Sequence, residues 1–155
     1  MLEIKVIETN EDLEKALNIR RTVFINEMGV PESIEIDNFD TLTSQCKHIL
    51  VLYNGQVVGT ARCNLISATE LKIQRFCFLS EYRKSGFGKK LLEFIEKEFS
   101  NIGYNYFFLE AKFSVHEFYE KCGYKKVSDV FIEANVPHIK MEKEITRIDL
   151  LWKKQ

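Results

Sequence analysis

Residues 83–88 read Arg83-Lys84-Ser85-Gly86-Phe87-Gly88, and they lie between a strand-like segment, Leu71–Leu79, and a long amphipathic segment. The first backbone N–H groups of a helix have no partner within the helix and lie at the positive end of its dipole. Gly86 and Gly88 carry no Cβ and can adopt positive φ, so the backbone can approach a ligand closely. The nearby cations are Arg83, Lys84, Lys89 and Lys90. This turn therefore predicts a binding site for a phosphorylated ligand.

Two better-known phosphate-binding loops do not fit this turn. The dinucleotide-binding fingerprint needs a third glycine where the chain has Leu91, and no Gly-Lys-Ser/Thr sequence occurs. The alternative to a binding site is an ordinary tight turn between a strand and a helix. The sequence around the turn leaves both interpretations open.

Composition limits the classes of protein to consider. With 155 residues and 45% hydrophobic content, residues 1–155 are expected to form a single domain. Lys and Arg number 22 against 23 Asp and Glu, so the net charge of −1 does not predict a nucleic-acid partner.

The four cysteines, Cys46, Cys63, Cys77 and Cys122, are widely spaced and form no Cys-x-x-Cys pair. We expect buried free thiols and no metal site. No apolar stretch reaches membrane-spanning length, and residues 1–5 carry no hydrophobic signal core. These features predict a cytoplasmic protein with no membrane partner.

Hydrophobic periodicity predicts seven strands and three helices. The helix after the glycine turn should bury Phe87, Leu91, Ile95 and Phe99 and turn Glu96 outward. The predicted strands are residues 2–8, His48–Tyr53, Gln56–Leu65, Leu71–Leu79, Tyr104–Ala111, Tyr124–Ile132 and His138–Ile145; the helices are 10–27, 87–99 and Phe113–Lys121. We predict an α/β fold in which helices flank a mixed, mainly antiparallel sheet of about seven strands, and the crossover from 71 to 111 gives a parallel, splayed central pair.

The glycine turn, together with Phe118-Tyr119-Glu120-Lys121-Cys122-Gly123-Tyr124, resembles the GNAT superfamily of acyl-coenzyme A N-acyltransferases. In that family an Arg/Gln-x-x-Gly-x-Gly/Ala turn cradles the coenzyme A (CoA) pyrophosphate, and residues 83–88 match every defined position. Three further segments, residues 23–27, 35–37 and 136–139, are similar to the ElaA-like branch of small bacterial acyltransferases.

The resemblance implies acetyl-CoA as co-substrate. Residues 83–89, namely Arg83, Lys84, Ser85, Gly86, Phe87, Gly88 and Lys89, would bind its phosphates. The backbone of Phe76, Cys77 and Phe78 would pair with the pantetheine arm as an added strand does. The alternative for these three residues is an ordinary paired strand. Arg75 either faces the cofactor or reaches solvent.

The resemblance also implies that Tyr119 protonates the departing CoA thiolate. The alternative is a core role, because aromatic pairs on a short helix usually face the interior. Many family members have Asn seven residues before this tyrosine, whereas this chain has Lys112. The usual side-chain contact of that Asn with the cofactor is therefore not expected here.

An amine acceptor with a pKa of about 10.4 is almost fully protonated at pH 7, so the reaction needs a base. The candidates are Glu110, His138, His48 and Glu133. A second acidic group, Glu32, Glu35, Asp37 and Asp40, lies in a segment that either attracts a cationic amine or forms a solvated loop.

The predicted function is transfer of an acetyl group from acetyl-CoA to an amine of a small molecule or a protein, by direct attack on the thioester. Two alternatives stay open: a non-catalytic acyl-CoA-binding sensor or scaffold, and a structural interaction domain. The tail residues Ile148, Leu150, Leu151 and Trp152 could seal a core or form a homodimer interface.

Overall fold

The computed structural model describes residues 1–146. The eight strands are β1 (Leu2–Val6), β2 (Cys46–Tyr53), β3 (Gln56–Leu65), β4 (Glu70–Phe78), β5 (Tyr106–Lys112), β6 (Lys125–Lys126), β7 (Phe131–Glu133) and β8 (Val136–Glu144). The α-helices are α1 (Asn10–Arg20), α2 (Glu32–Glu35), α3 (Phe87–Ser100) and α4 (His116–Lys121). A π-helical segment spans Arg21–Glu27, and 3₁₀ turns span Ser80–Tyr82 and Phe113–Val115. The tail residues 148 to 152 lie outside the described residues.

The strands pair in the order β1-β2-β3-β4-β5-β8-β6, and β7 also pairs with β8. β1 and β3 pair antiparallel with β2, and β5, β6 and β7 pair antiparallel with β8. β4 runs parallel to β5, with Glu70 opposite Tyr106 and Lys72 opposite Phe108. The predicted mixed α/β class and its parallel pair are confirmed. The strand predicted at 124–132 is two short strands, β6 and β7. Between them the Ser128 hydroxyl accepts a hydrogen bond from the Lys140 N–H, which replaces a backbone partner at this point of the ladder.

The chain forms two compact units. The first holds Met1–Leu65 and Ile73–Leu91, and the second holds Ile66–Lys72 and, among the described residues, 92–146. In the first unit, β2 and β3 form a hairpin whose turn residues Asn54 and Gly55 have φ of 51° and 81°. Positive φ at both positions is what a two-residue type I′ turn requires. Asn54-Gly55 lies between the predicted strands His48–Tyr53 and Gln56–Leu65, and it forms the hairpin turn that an Asn-Gly pair favours.

Helix α1 begins where the sequence places its cap. The Thr9 hydroxyl accepts a hydrogen bond from the Asp12 N–H at 3.1 Å, and acidic residues occupy the first turn. Leu13, Ala16 and Leu17 pack against Leu50 in one core cluster of the first unit. The predicted helical extent to Glu27 is confirmed, although the last seven residues are π-helical. The chain leaves this helix through Gly29, whose φ is +74°.

In the second unit, burial alternates along β5. Phe107, Leu109 and Ala111 are buried, while the residues between them are half-exposed. β8 follows the same alternation, with Ile139 and Met141 buried. One face of these paired strands therefore lies in the core of the unit, and the opposite face is accessible. No helix within residues 1–146 has the length and apolar character needed to span a membrane.

Helix α3 buries the predicted Leu91, Ile95 and Phe99. The outward orientation predicted for Glu96 is wrong, because this residue is only 1% exposed. Its carboxylate accepts hydrogen bonds from the Tyr124 hydroxyl and from Lys143 Nζ, both at 2.9 Å. These two partners come from distant parts of the chain and compensate the burial of the charge.

Candidate active site

The glycine turn lies in the first unit and is exposed from Arg83 to Gly86. Lys84 and Gly86 have φ of 62° and 86°, whereas Gly88 lies within α3 and is helical. The positive φ thus falls at Lys84 and Gly86, not at Gly88. A Cβ built on Gly86 would meet no atom within 4 Å. The space over this backbone is open at the N-terminus of a 14-residue helix, which fits an anionic ligand.

Two side chains hold the turn in place. Arg83 Nε donates to the Phe78 carbonyl at 2.9 Å, and Arg83 Nη2 donates to Glu27 at 2.8 Å. The Ser85 hydroxyl donates to the Tyr82 carbonyl at 2.5 Å. Arg83 therefore joins the turn to the end of β4 and to the π-helical segment. Lys84, Lys89 and Lys90 are exposed cations around the same turn.

An aromatic group fixes the start of α3, which sequence reasoning missed. The Phe87 ring lies 5.1 Å from the Tyr53 ring and 6.4 Å from the Tyr82 ring, measured between centroids. Tyr53 is the last residue of β2, and Tyr82 belongs to the 3₁₀ turn before the glycines. No periodicity in the sequence relates these positions, because the contact forms only when the hairpin and the turn meet in space.

The segment Phe76–Phe78 ends strand β4. Cys77 and Phe78 are buried, and the Leu79 N–H donates to the Val58 carbonyl at 2.9 Å. Gly59 allows this close approach, because a Cβ there would lie 2.5 Å from Phe78 Cδ1. The Phe78 carbonyl already accepts from Arg83. The proposed pairing of this segment with pantetheine stays a prediction.

The acidic segment of the first unit is a buried ion-pair network and not a solvated loop. Arg20 Nε contacts Glu35 at 2.8 Å, and Arg20 Nη1 contacts Asp40 at 2.6 Å. The side chains of Arg20 and Asp40 are 1% and 2% exposed. The solvated-loop interpretation is therefore wrong for these carboxylates, because arginines from other elements bury and neutralise them. Glu32 remains exposed and contacts Arg21.

Arg62 and Arg75 complete this network. Arg62 Nη1 lies 2.7 Å from Asp37 Oδ1 and 3.1 Å from Asp40 Oδ1. Arg75 Nε lies 3.0 Å from Glu35 Oε2, and the Arg75 backbone has φ of +51° within β4. Arg75 thus contacts the acidic segment, and its side chain does not extend freely into solvent. The paired carboxylates no longer support the hypothesis of an amine-attracting acidic cluster.

Glu110 lies on the accessible face of β5 in the second unit. Lys72 Nζ donates to Glu110 Oε1 at 2.6 Å. Partial burial disfavours the charged form of Glu110, but the hydrogen bonds from Lys72 and Glu133 outweigh it and lower the pKa of Glu110. Burial and the hydrogen bond with Glu110 raise the pKa of Glu133. These two base candidates therefore influence each other's ionisation.

The two histidine candidates differ in exposure. His138 is half-buried, its Nδ1 lies 2.7 Å from the Val136 carbonyl, and its ring stacks on Phe131 at 6.0 Å. His48 is only 3% exposed, and its Nε2 lies 3.2 Å from the Phe39 carbonyl. Burial lowers the pKa of His48, so the ring favours its neutral form. The burial of His48 therefore favours a structural role for this residue over a role as the catalytic base.

Tyr119 is 8% exposed on α4. Its ring packs edge-on against Phe118 at 5.0 Å and against Tyr124 at 6.2 Å. Tyr124 in turn donates to Glu96, and burial together with Glu96 raises the pKa of Tyr124. The aromatic packing expected for a core residue is present, while the acid role of the Tyr119 hydroxyl stays a prediction.

Comparisons with known proteins agree with this architecture. Residues 11–145 match the family model described as an acetyltransferase (GNAT) domain. The Bacillus subtilis protein YyaT is 43% identical over 94% of this chain and 98% of its own length. The uncharacterized N-acetyltransferase YjcF of the same organism is 31% identical over 90% of this chain and 97% of its own. The crystal structure of Escherichia coli ElaA is 26% identical and superimposes with a TM-score of 0.82, covering 93% of this chain and 100% of that one.

The chain belongs to the GNAT acetyltransferase family, because the family model spans most of its length. The predicted recognition is confirmed, including the similarity to ElaA. Its enzyme class is N-acetyltransferase, and members of the family transfer an acyl group from a CoA thioester to an amine.

Proposed function

We propose that the protein transfers an acetyl group from acetyl-CoA to a primary amine by direct attack of the amine on the thioester. The observation that carries this proposal is the glycine turn, in which open backbone at Gly86 coincides with the N-terminus of α3 and with exposed lysines. A pyrophosphate at this turn would gain hydrogen bonds from unpaired backbone N–H groups and the favourable field of the helix dipole.

Other residues of the turn and the end of β4 would supply the remaining contacts with the co-substrate. Ser85, Phe87 and Gly88 would offer backbone N–H groups to the phosphates, and Lys84 and Lys89 would add charge. The pantetheine arm would extend along Phe76–Phe78, where the backbone can pair with its amides. Phe87 would keep its N–H aligned, because Tyr53 and Tyr82 hold its ring.

The cysteines favour direct attack over an acyl-cysteine intermediate. Cys63 and Cys77 are buried, and this burial strongly raises the pKa of both thiols. Burial also raises the pKa of Cys46. A thiol must ionise to become an effective nucleophile, so these three residues are poorly suited to carry the acetyl group.

The reaction needs a proton acceptor for the amine and a proton donor for the leaving thiolate. We assign Glu110 and His138 as the base candidates, because both lie on accessible strand positions. Tyr119 is the proposed donor. Proton transfer from a phenol with a pKa of about 10 to a thiolate whose thiol has a pKa of about 8.5 is unfavourable in free energy. Tyr119 would therefore stabilise the developing negative charge mainly by a hydrogen bond.

The experiment is a thermal unfolding assay with CoA, combined with thiol release from acetyl-CoA in the presence of an amine panel. CoA at 100 times its dissociation constant should stabilise the protein by about 2.7 kcal/mol. Gly86→Glu should abolish this effect, because it places a side chain and a negative charge in the turn.

Gly55→Glu is the matched control. Gly55 has φ of +81° and equally open surroundings, so both variants carry the same backbone strain. Gly55→Glu should keep the response to CoA. Equal responses to CoA in both variants would reject the assignment of the turn. A response to CoA without thiol release for any amine would indicate the non-catalytic acyl-CoA-binding alternative.

A further inference from the structure

Strand β4 contains one strained residue, Arg75. Its φ is +51°, and no other residue with a Cβ has a positive φ inside a strand of residues 1–146. This conformation is unfavourable for a residue with a side chain, and it occurs preferentially at functional sites. Arg75 is therefore a candidate for a functional role within the first unit, which also contains the glycine turn.

Arg75 is the least firmly held arginine of the buried ion-pair network. Glu35 Oε2 lies 2.8 Å from Arg20 Nε and 3.0 Å from Arg75 Nε. Asp37 Oδ2 accepts from Arg62 Nη2 at 3.2 Å and from Arg75 Nη2 at 3.5 Å. The Arg75 side chain is 23% exposed, whereas those of Arg20 and Arg62 are 1% and 2% exposed. Each carboxylate that contacts Arg75 thus has a closer arginine.

One edge of the Arg75 guanidinium is open to a further acceptor. Nε donates to the Glu35 carbonyl at 3.2 Å, and Nη2 makes a long contact of 3.4 Å with the Ile34 carbonyl. Within residues 1–146, no hydrogen bond of Arg75 involves Nη1. No buried side-chain nitrogen or oxygen in this part of the chain lacks a partner, so Nη1 is accessible. Nη1 and Nη2 together form the planar edge that binds a carboxylate through two parallel N–H bonds.

The electrostatic environment of Arg75 favours an additional anion. Burial opposes the charged form of Arg20, but the hydrogen bond with Asp40 outweighs it and raises the pKa of Arg20. For Arg75, burial outweighs the attraction of Glu35 and lowers the pKa. The positive charge of Arg75 is therefore incompletely compensated, and a bound anion would stabilise it.

The charge of the whole network indicates how much negative charge this edge can accept. Three arginines face three carboxylates, so the network is neutral; its members are Arg20, Arg62, Arg75, Glu35, Asp37 and Asp40. A neutral network with carboxylates close by accepts a single negative charge more readily than the double charge of a phosphate. The edge therefore suits a carboxylate.

The position of Arg75 relative to the co-substrate follows from the direction of β4. The glycine turn comes after this strand, and Arg83 Nε donates to the Phe78 carbonyl at 2.9 Å. A pantetheine arm that leaves phosphates at the turn and extends from Phe78 to Phe76 would run toward Arg75. Its thioester end would thus lie beside Arg75. Because the acceptor amine must reach the thioester carbon, a carboxylate bound by Arg75 would belong to the acceptor.

We propose that the acceptor is an amino acid, and that Arg75 binds its carboxylate and thereby determines specificity. This inference rests on the proposed function and narrows its acceptor from amines in general to amines that carry a carboxylate. Ile34 lies beside the guanidinium and is 60% exposed, which favours an apolar side chain on the amino acid.

The reaction with such an acceptor is balanced. The amine nitrogen forms a C–N bond with the thioester carbonyl carbon, the C–S bond breaks, and the products are an N-acetyl amino acid and CoA. The ammonium loses two protons, of which one ends on the CoA sulfur and one passes to water. Arg75 takes no proton, because a guanidinium stays charged throughout.

The first test compares each protein amino acid with its α-amide in the thiol-release assay with the wild-type protein. The best amino acid should exceed its amide in kcat/KM by roughly 10- to 10²-fold, the factor that hydrogen bonds to a charged group provide. An α-amide lowers the pKa of the neighbouring amine, so ionisation of the amine alone would favour the amide. Amides that match their amino acids, or thiol release only with amines that lack a carboxylate, would overturn the inference.

Phosphoethanolamine tests the preference for a carboxylate over a phosphate. It carries a primary amine and a phosphate, and its kcat/KM should be lower than that of the best amino acid. The opposite order would overturn the assignment of a carboxylate to Arg75.

The second test uses Arg75→Gln. This variant should lower kcat/KM for the best amino acid by roughly 10- to 10²-fold and leave that of the matching amide unchanged, so that their ratio falls toward one. Arg75→Lys keeps the charge without the planar edge and should restore only part of the ratio. The CoA-induced thermal shift should stay at the wild-type value in both variants.

Arg21→Gln is the matched control, because Arg21 is a partly exposed arginine that pairs with Glu14 and Glu32. It should keep the wild-type ratio of amino acid to amide. A folded Arg75→Gln protein with an unchanged ratio would overturn the role of Arg75. The comparison of amino acids with amides in the wild-type protein decides the inference even if Arg75→Gln does not fold.

The outcomes separate this inference from the proposed function. A best acceptor without a carboxylate would overturn the inference and leave the acetyl transfer in place. Failure of the wild-type protein to release thiol with every amine, amino acids included, would overturn the proposed function and the inference together.

Discussion

Replacing Asp40 by Asn should destabilise the protein by about 3 kcal/mol at pH 7. The Asp40 carboxylate accepts four hydrogen bonds: from Arg20 Nη1 at 2.6 Å and Nη2 at 3.0 Å, from Arg62 Nη1 at 3.1 Å and from the Asp37 N–H at 2.8 Å. Its side chain is 2% exposed, and both arginine side chains are equally buried. Asn keeps the shape but removes the charge between two buried guanidinium groups.

The magnitude follows from two independent considerations. Burial opposes ionisation of Asp40, but the hydrogen bonds from Arg20 and from the Asp37 backbone outweigh it and lower its pKa from 3.8 to about 2. A difference of that size corresponds to about 2 kcal/mol of stability. Removing one partner of a buried ion pair typically costs about 3 to 5 kcal/mol, because the remaining charge is left without compensation. The expected loss of about 3 kcal/mol in the free energy of unfolding lies above the first value and at the lower end of the second.

The sign of the pH dependence is also determined. The pKa of Asp40 is lower in the folded protein than in the unfolded chain, so its contribution is fully present above pH 5 and is lost as the pH falls toward 2. The difference in the free energy of unfolding between wild type and Asp40→Asn should therefore shrink between pH 5 and pH 2.

Urea unfolding at pH 7, 5 and 3 measures this difference. The control is Glu32→Gln in the same segment, since the Glu32 side chain is 63% exposed and pairs with Arg21, which is also partly exposed. The Glu32→Gln variant should lose less than about 1 kcal/mol in the free energy of unfolding. An Asp40→Asn protein that loses no more than this control, or a difference that does not change with pH, would refute the reasoning.

Two further variants test the site and its framework. Tyr119→Phe keeps the ring packing and removes the hydroxyl, so kcat should fall by roughly 10² to 10⁴-fold. The melting temperature and the CoA-induced thermal shift should stay near those of the wild type. A loss of stability with full activity would indicate that Tyr119 has only a core role. Gly59→Ala would place a Cβ 2.5 Å from Phe78 Cδ1 and 3.0 Å from the Cys77 carbonyl. We expect a loss of about 1 to 3 kcal/mol in urea unfolding and weaker CoA binding, and an unchanged unfolding midpoint would contradict the close approach.

Local sequence patterns predicted the elements that carry the site. The Asn54-Gly55 turn, the cap at Thr9 and the glycine turn before α3 were recognised because each needs particular residue types within a few positions. These features depend on the backbone geometry of a few consecutive residues, so neighbouring residue types in the sequence are enough to predict them.

Side-chain partners could not be predicted in the same way. The helical periodicity of α3 placed Glu96 outward, because no local pattern shows that Tyr124 and Lys143 will meet its carboxylate. The sequence likewise gave no sign that Lys84, a residue with a side chain, has a positive φ in the glycine turn. In each case the tertiary structure, and not the local sequence pattern, determines the burial or the backbone conformation of the residue.

The sequence by itself determined the strand and helix order, the parallel β4–β5 pair and the position of the glycine turn, since these follow from periodicity and from residues that permit unusual φ. Only the tertiary structure decided which charges meet: Arg20 and Arg62 with Asp40, and Lys72 with Glu110. A buried charge is stable only beside a partner, and partners 20 or more residues apart come together only when the chain has folded.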